Sequence, residues 1–141
     1  MATSQPAGYS GTPLPQKLGI GEMDAVALIG APEWLEDLIA EIPSVAVVHT
    51  HLDSDALYDV IVVFVSWRAE LEAELGRLRD RMAPACGLWV AWPKKAAKVP
   101  TDMSDNVVRE VALPTGLVDN KVSAIDETWS ALRLVIRREN R

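Results

Sequence analysis

The stretch that decides the fold is YDVIVVFVS, residues 58–66. Its apolar core, VIVVFV, leaves no polar position for a sheet face that is open to water. Such a run is typical of a strand in a parallel sheet, where helices cover both faces. Residues 58–66 therefore predict a central strand that is buried on both sides.

The pattern on either side of this strand alternates between short apolar runs and amphipathic segments. Strands are predicted at 24–31, 44–51, 58–66, 86–92, 117–125 and 129–138, and helices at 33–42, 67–82 and 105–114. Strand-helix alternation implies parallel neighbours joined by crossovers. We therefore predict an α/β fold with a mostly parallel sheet of about six strands, helices on both faces and a C-terminal antiparallel hairpin.

Three local features refine this prediction. Ser66 and Ser104 are expected to cap the second and third helices, and Pro84–Gly87 is expected to be a turn. Only Leu52–Tyr58 link the second strand to the third. This link is either a short strap across the sheet or the turn of an antiparallel pair, and we favour the strap.

Composition limits the class of protein. Residues 1–16 are rich in proline and small polar residues and predict a flexible tail, and residues 17–141 predict a single domain. The net charge of -6 argues against binding to nucleic acid. The single cysteine and the lack of a signal or membrane-spanning pattern favour a cytoplasmic protein without membrane contact.

A resemblance to known proteins covers residues 24–137. The segments LYDVIVVF (57–64) and PACGLWVAWPK (84–94), with the helices and the closing hairpin, resemble the second half of Rossmann-like methyltransferases. The segments LGI (18–20), WPKK (92–95), VPTD (99–102) and DETWS (126–130) resemble a bacterial family of small cytoplasmic proteins of unknown function. The resemblance implies a truncated, Rossmann-like methyltransferase fold and carries no mechanism with it.

The segment after the first strand departs from the methyltransferase pattern. That family has several glycines there, which let the backbone approach the cofactor closely. Here residues 29–34 read IGAPEW, with one glycine followed by a proline that lacks an N–H group. We therefore expect no cofactor, and S-adenosylmethionine should not bind in the usual way.

Two further patterns are weak indications of chemistry. HTHLD, residues 49–53, places His49, His51 and Asp53 on one face of a strand, as in some metallo-hydrolases, but the final histidine of that motif is missing. We expect strand-end polar residues rather than a metal site. Cys86 opens an apolar strand, so we expect a buried thiol and not a nucleophile.

The strongest candidate site follows from the predicted strand ends. Ligands of open parallel sheets bind beyond the carboxyl ends of the strands. The predicted ligand-binding residues at this edge are Trp34, Trp67, Trp92, Lys94, Lys95, Asp126, Glu127 and Trp129. One of Lys94 and Lys95 is expected to pair with Asp126 or Glu127, which leaves the other for an anion. The alternative is that these lysines form a solvated loop and the tryptophans close the core.

Two classes of function remain open. The first is a non-catalytic binding domain on a degenerate methyltransferase-like scaffold, with a protein partner or a small anionic metabolite at this edge. The second is an enzyme acting on a small anionic substrate, with a lysine neutralising its charge and Asp126 or Glu127 as base. The sequence favours the first, because it assembles no nucleophile-base pair and no metal-ligand set.

Overall fold

The computed structural model describes residues 13–42 and 47–141, which form one sheet and its helices. The strands are β1 (Ala25–Ile29), β2 (Val47–His49), β3 (Tyr58–Phe64), β4 (Met82–Pro93), β5 (Leu117–Ala124) and β6 (Trp129–Ile136). The helices are α1 (Leu14–Lys17), α2 (Glu33–Ala40), α3 (Arg68–Asp80) and α4 (Asp105–Ala112). Short 3-10 turns lie at Lys95–Ala97, Leu113–Thr115 and Arg138–Asn140.

The strand order is β2-β1-β3-β4-β6-β5. Strands β2, β1, β3 and β4 run parallel, whereas β6 is antiparallel to both β4 and β5. The predicted mostly parallel sheet with a closing hairpin is therefore confirmed. Because β1 lies between β2 and β3, residues 50–57 must cross β1, which confirms the predicted strap.

Both faces of the sheet are covered. Helices α3 and α4 and the strap pack on one face, where β3 contributes Ile61 and Val63 to the core. Helices α1 and α2 pack on the other face, where β3 contributes Val62 and Phe64. This explains why the strand needs apolar residues at successive positions, since burying each side chain contributes about 1.5 to 3 kcal/mol.

The predicted turn at Pro84–Gly87 is wrong, because these residues lie inside β4. The pairing moves from Met82 to Gly87 on β4 while it moves only from Tyr58 to Val60 on β3. The extra residues form an irregular, partly exposed bulge. Proline and glycine are tolerated at such a bulge, so the same residue types serve here as they would in a turn.

The predicted cap of α3 is also corrected, because the helix begins at Arg68 and Ser66 lies outside it. Glu70 Oε1 accepts hydrogen bonds from the backbone N–H groups of Ser66 (2.8 Å) and Trp67 (2.9 Å). Asp102 Oδ1 accepts from the N–H of Arg68 at 2.7 Å. Carboxylates rather than a serine hydroxyl therefore satisfy the amides at and just before the start of α3, as helix electrostatics favours.

The other two terminal predictions have mixed outcomes. The Ser104 cap is confirmed, since its Oγ accepts from Val107 N at 3.2 Å. Within the predicted tail of residues 1–16, residues 14–16 belong to the short helix α1. Residues 1–12 of the predicted tail lie outside the described residues, as do residues 44–46 of the predicted second strand.

Candidate functional site

The order in which the chain adds strands to the sheet reverses at β1. From β1 it continues to β2 on one side and then to β3 on the other, so the carboxyl ends of β1 and β3 border the topological switch point. Gly30 follows β1 with φ +68°, and a Cβ atom there would lie 3.3 Å from the carbonyl oxygen of Phe64. Glycine at this position permits both the positive φ and the close approach to β3.

A cavity of about 500 Å³ opens beside this switch point, between the strap and α3. Its lining residues are Ile29, Thr50, His51, Leu52, Val63, Phe64, Val65, Glu70, Ala73, Glu74 and Arg77. We call it the switch-point cavity. Its size falls within the range of small-molecule sites, and its place at the carboxyl ends of parallel strands is where such sites occur.

A buried tyrosine holds the strap and the histidines in place. The hydroxyl of the fully buried Tyr58 lies 2.5 Å from His49 Nδ1 and accepts the N–H of Asp53 at 3.1 Å. The His49 ring in turn stacks on that of His51, with centroids 5.4 Å apart and planes 9° from parallel. This chain of contacts orients His51, which is exposed and lines the cavity.

The charged side chains of the cavity come from α3. Arg77 Nη1 and Glu74 Oε2 form an ion pair at 3.0 Å. Glu70 Oε1 is also the acceptor for the backbone N–H groups of Ser66 and Trp67 before α3. The cavity therefore has apolar strand residues at its base and a polar wall without excess positive charge.

None of the eight predicted ligand-binding residues lines this cavity. Trp92 is buried in the core beneath α3 and α4, and Trp129 stacks edge-on against Phe64 with centroids 5.0 Å apart. Trp34 and Trp67 are 41% and 46% exposed. Two of these four tryptophans thus pack in the protein, and two remain available at its surface.

The loop after β4 that carries Lys94 and Lys95, which we call the lysine loop, lies beside the β5–β6 turn, as predicted. The two are joined through the backbone. Lys94 N donates to the carbonyl oxygen of Thr128 at 2.7 Å. Asp126 Oδ1 accepts from the N–H groups of Thr128 and Trp129, both at 2.8 Å, so its carboxylate stabilises the turn. The predicted ion pair is wrong: within the described structure, neither Lys94 nor Lys95 forms one with Asp126 or Glu127.

Replacing Lys94 and Lys95 together by alanine should change the free energy of unfolding by no more than about 0.5 kcal/mol, as is usual for surface substitutions. Trp129→Ala should instead cost about 3 to 5 kcal/mol, because it removes the ring that packs on Phe64. Denaturant unfolding of both variants measures these values. A loss above 2 kcal/mol in the double variant would show that the lysines make a structural contact.

The remaining sequence candidates are the HTHLD segment, residues 49–53, and Cys86. In residues 13–42 and 47–141, no three His, Cys, Asp or Glu side chains are close enough to hold a metal ion. Cys86 is fully buried, as predicted. Burial raises the pKa of its thiol to about 12, with a smaller contribution from the negative charge of Asp59.

The native Cys86 thiol should react very slowly with a thiolate-specific reagent. With a pKa of about 12, roughly one thiol in ten thousand is ionised at pH 8. Because the folded pKa is raised, the stabilising contribution is complete below the unfolded value near 9 and is lost as pH rises towards 12. Labelling by a disulfide reagent, with and without denaturant, checks this, and rapid labelling of the native protein would contradict it.

Sequence reasoning missed the α3 side of the site. Glu70, Ala73 and Arg77 are spaced like the solvated face of an amphipathic helix, and nothing in that spacing indicates a cavity. It also left VPTD (99–102) without a role. Thr101 Oγ1 donates to the carbonyl oxygen of Ser66 at 2.5 Å, and Asp102 caps α3, so this segment fixes the start of that helix.

Comparison with known proteins supports the fold. No protein-family model and no curated protein matches the chain, so its membership of the bacterial family that its motifs resemble stays a prediction. No helix within the described residues is long and apolar enough to cross a membrane. Solved structures, by contrast, match over most of the chain.

Three of these structures illustrate the similarity. The ribosomal protein L11 methylase of Lactobacillus delbrueckii subsp. bulgaricus is 10% identical with a TM-score of 0.58, over 89% of this chain and 75% of that one. The Bacillus subtilis tRNA methyltransferase TrmK is 11% identical with a TM-score of 0.57, over 94% and 67%. An O-methyltransferase from neocarzinostatin biosynthesis, solved with S-adenosylmethionine, is 12% identical with a TM-score of 0.64, over 81% and 49%. This chain thus spans only about half of that enzyme, and it has the Rossmann-like fold of S-adenosylmethionine-dependent methyltransferases.

Proposed function

We propose that the chain is an enzyme that binds a small molecule in the switch-point cavity of a methyltransferase-like scaffold. The observation that carries this proposal is the cavity of about 500 Å³ at the carboxyl ends of β1 and β3. The structural neighbours named above are enzymes, which supports a catalytic function over the non-catalytic one that the sequence favours.

The cavity walls favour a neutral or cationic ligand. Ile29, Val63 and Val65 offer apolar contact at the strand ends, and Glu70 and Glu74 supply two carboxylates against one guanidinium. The anionic substrate expected at the lysine loop would meet no net positive charge here. A ligand with an apolar body and a polar or positively charged group suits this lining better.

His51 is the group best placed for proton transfer. It lines the cavity, its ring is held parallel to that of His49, and Tyr58 fixes His49 through a hydrogen bond. An imidazole can give or accept a proton near neutral pH, which makes it the commonest acid-base catalyst. We assign to His51 the role of acid-base residue and to Arg77 and Glu74 the role of ligand contacts.

S-adenosylmethionine does not fit the loop that follows β1. Pro32 has no N–H to offer, Gly30 lies against the backbone of Phe64, and the bulky Glu33 and Trp34 follow. We expect the dissociation constant of S-adenosylmethionine to be higher than about 1 mM. Isothermal calorimetry checks this value, and micromolar affinity would assign the usual cofactor to the scaffold.

The proposed site is tested with a pair of matched variants. Ala73→Phe places a ring in the cavity, whereas Ala69→Phe makes the same change on an exposed position of α3 that does not line it. A thermal-shift panel of nucleosides, amines and neutral metabolites should find compounds that raise the melting temperature of wild type, because ligands stabilise the folded state. The rise should disappear in Ala73→Phe and persist in Ala69→Phe. If the rise in melting temperature persists in both variants, the ligand binds elsewhere.

A second candidate is a non-catalytic binding surface, and the exposure of Trp34 and Trp67 favours it. Both rings lie at the carboxyl edge, on the segments after β1 and β3. With the Lys94–Lys95 loop they would meet a protein partner or a small anionic metabolite. Binding that is lost in Trp34→Ala and Trp67→Ala, and kept in Ala73→Phe, would support this alternative.

A further inference from the structure

The ion pairs of the protein are unevenly distributed. All five in the described residues involve Arg68, Arg77 or Arg109, and all lie on the α3/α4 side. On the α1/α2 side, Lys17, Lys121 and Arg133 form no ion pair with any described residue. We call these three residues the cation cluster.

Lys121 lies between the other two residues of the cluster. Lys121 of β5 lies directly opposite Arg133 of β6 in the antiparallel pairing. Lys121 Nζ donates to the carbonyl oxygen of Lys17 at 3.3 Å, and Lys17 Nζ donates to that of Ala124 at 3.4 Å. Like charges placed opposite each other destabilise a sheet, and neither Lys121 nor Arg133 has an ion-pair partner among the described residues.

Arg133 occupies a space that the sequence keeps open. A Cβ atom at Gly87 would lie within 2.8 Å of Arg133 Cζ, so glycine allows the guanidinium to lie against the backbone of β4. The side chain is half-buried and forms no ion pair within the described structure. Its guanidinium is therefore available to bind an anion in the bidentate way that arginine favours.

We propose that the cation cluster is a binding site for the phosphate group of a small molecule. A dianion matches the three positive charges better than a single carboxylate does, and a planar guanidinium pairs with two phosphate oxygens. The cluster is distinct from the switch-point cavity, which none of its members lines. An experiment on the cation cluster can therefore succeed or fail independently of one on the proposed enzyme site.

Calorimetric titration with inorganic pyrophosphate, at constant ionic strength and against sodium chloride, tests this proposal. Wild type should bind one equivalent of pyrophosphate saturably. Arg133→Ala should raise the dissociation constant by about tenfold or more, because charge-assisted hydrogen bonds are lost. Arg79→Ala is the control, because Arg79 is another half-buried arginine without an acidic partner and lies on α3. It should leave the affinity unchanged.

Two further measurements separate binding from folding. Without anion, Arg133→Ala should melt no lower than wild type, since it relieves the repulsion from Lys121. Gly87→Ala keeps every charge but displaces the guanidinium, so it should also weaken pyrophosphate binding. The proposal is overturned by unsaturable binding to wild type, by equal affinity in Arg133→Ala, or by tighter binding of an RNA duplex than of pyrophosphate.

Discussion

Replacing Trp89 by alanine should lower the free energy of unfolding by about 3 to 5 kcal/mol, because the side chain is large and fully buried. Trp89 is fully buried in the middle of β4, on the α1/α2 face. Its Nε1 donates to the carbonyl oxygen of Leu18 at 2.9 Å. The variant would lose both the ring packing and the bond that attaches the segment after α1 to the sheet.

Trp89→Phe separates these two contributions. The smaller ring keeps most of the apolar contact but leaves the Leu18 carbonyl without its donor, which should cost about 1 to 3 kcal/mol. Urea unfolding followed by circular dichroism measures both variants. A loss below 1 kcal/mol in Trp89→Ala would contradict the packing described for this face.

The second large effect is expected at Tyr58, where removal of one hydroxyl should loosen the strap. Tyr58→Phe removes the partner of His49 Nδ1 and of the Asp53 N–H, and we expect a loss of about 1 to 3 kcal/mol. The ring would still fill its buried place beside the strap. The strap should therefore open more often while β3 stays protected.

Amide hydrogen exchange distinguishes this local effect from a general one. The Asp53 amide should exchange much faster in Tyr58→Phe. The exchange rates of the Val62 and Val63 amides should change only as much as the free energy of global unfolding changes. The cavity beside His51 should also bind its ligand less tightly, because the orientation of His51 depends on His49 and Tyr58. Unchanged exchange at Asp53 would show that other contacts, such as those of Arg81 with the carbonyl oxygens of Ser54 and Ala56, hold the strap.

Much of the fold could be predicted because its signals are local. The unbroken apolar run of β3 requires two covered faces, and the alternation in WSALRLVI places Leu132 and Leu134 together on the α3/α4 side. The short link allowed either a strap or an antiparallel turn, and the parallel pairing of β1 with both β2 and β3 selects the strap. The bulge in β4 could not be predicted, because Pro84 and Gly87 also suit a turn and the choice depends on pairing with β3.

The site was harder to predict, because it depends on which groups already have partners. The carboxylate of Asp126 binds backbone amides of its own turn, which leaves it unavailable to Lys94 or Lys95. Trp92 points into the core, although its place at a strand end suggested a ligand wall. The cavity depends on the distance between the strap and α3, and neither segment carries a motif that indicates it.

The central claim, that the switch-point cavity is the ligand site, is tested most directly by a fragment screen mapped on the amide resonances of the ¹⁵N-labelled protein. Cavities of this size and lining bind small fragments, so we expect hits whose shift changes centre on His51, Ala73 and Arg77. The same hits should leave the amides of Lys95 and Glu127 unchanged. Hits confined to the lysine loop and the β5–β6 turn, or no hits at all, would contradict the account.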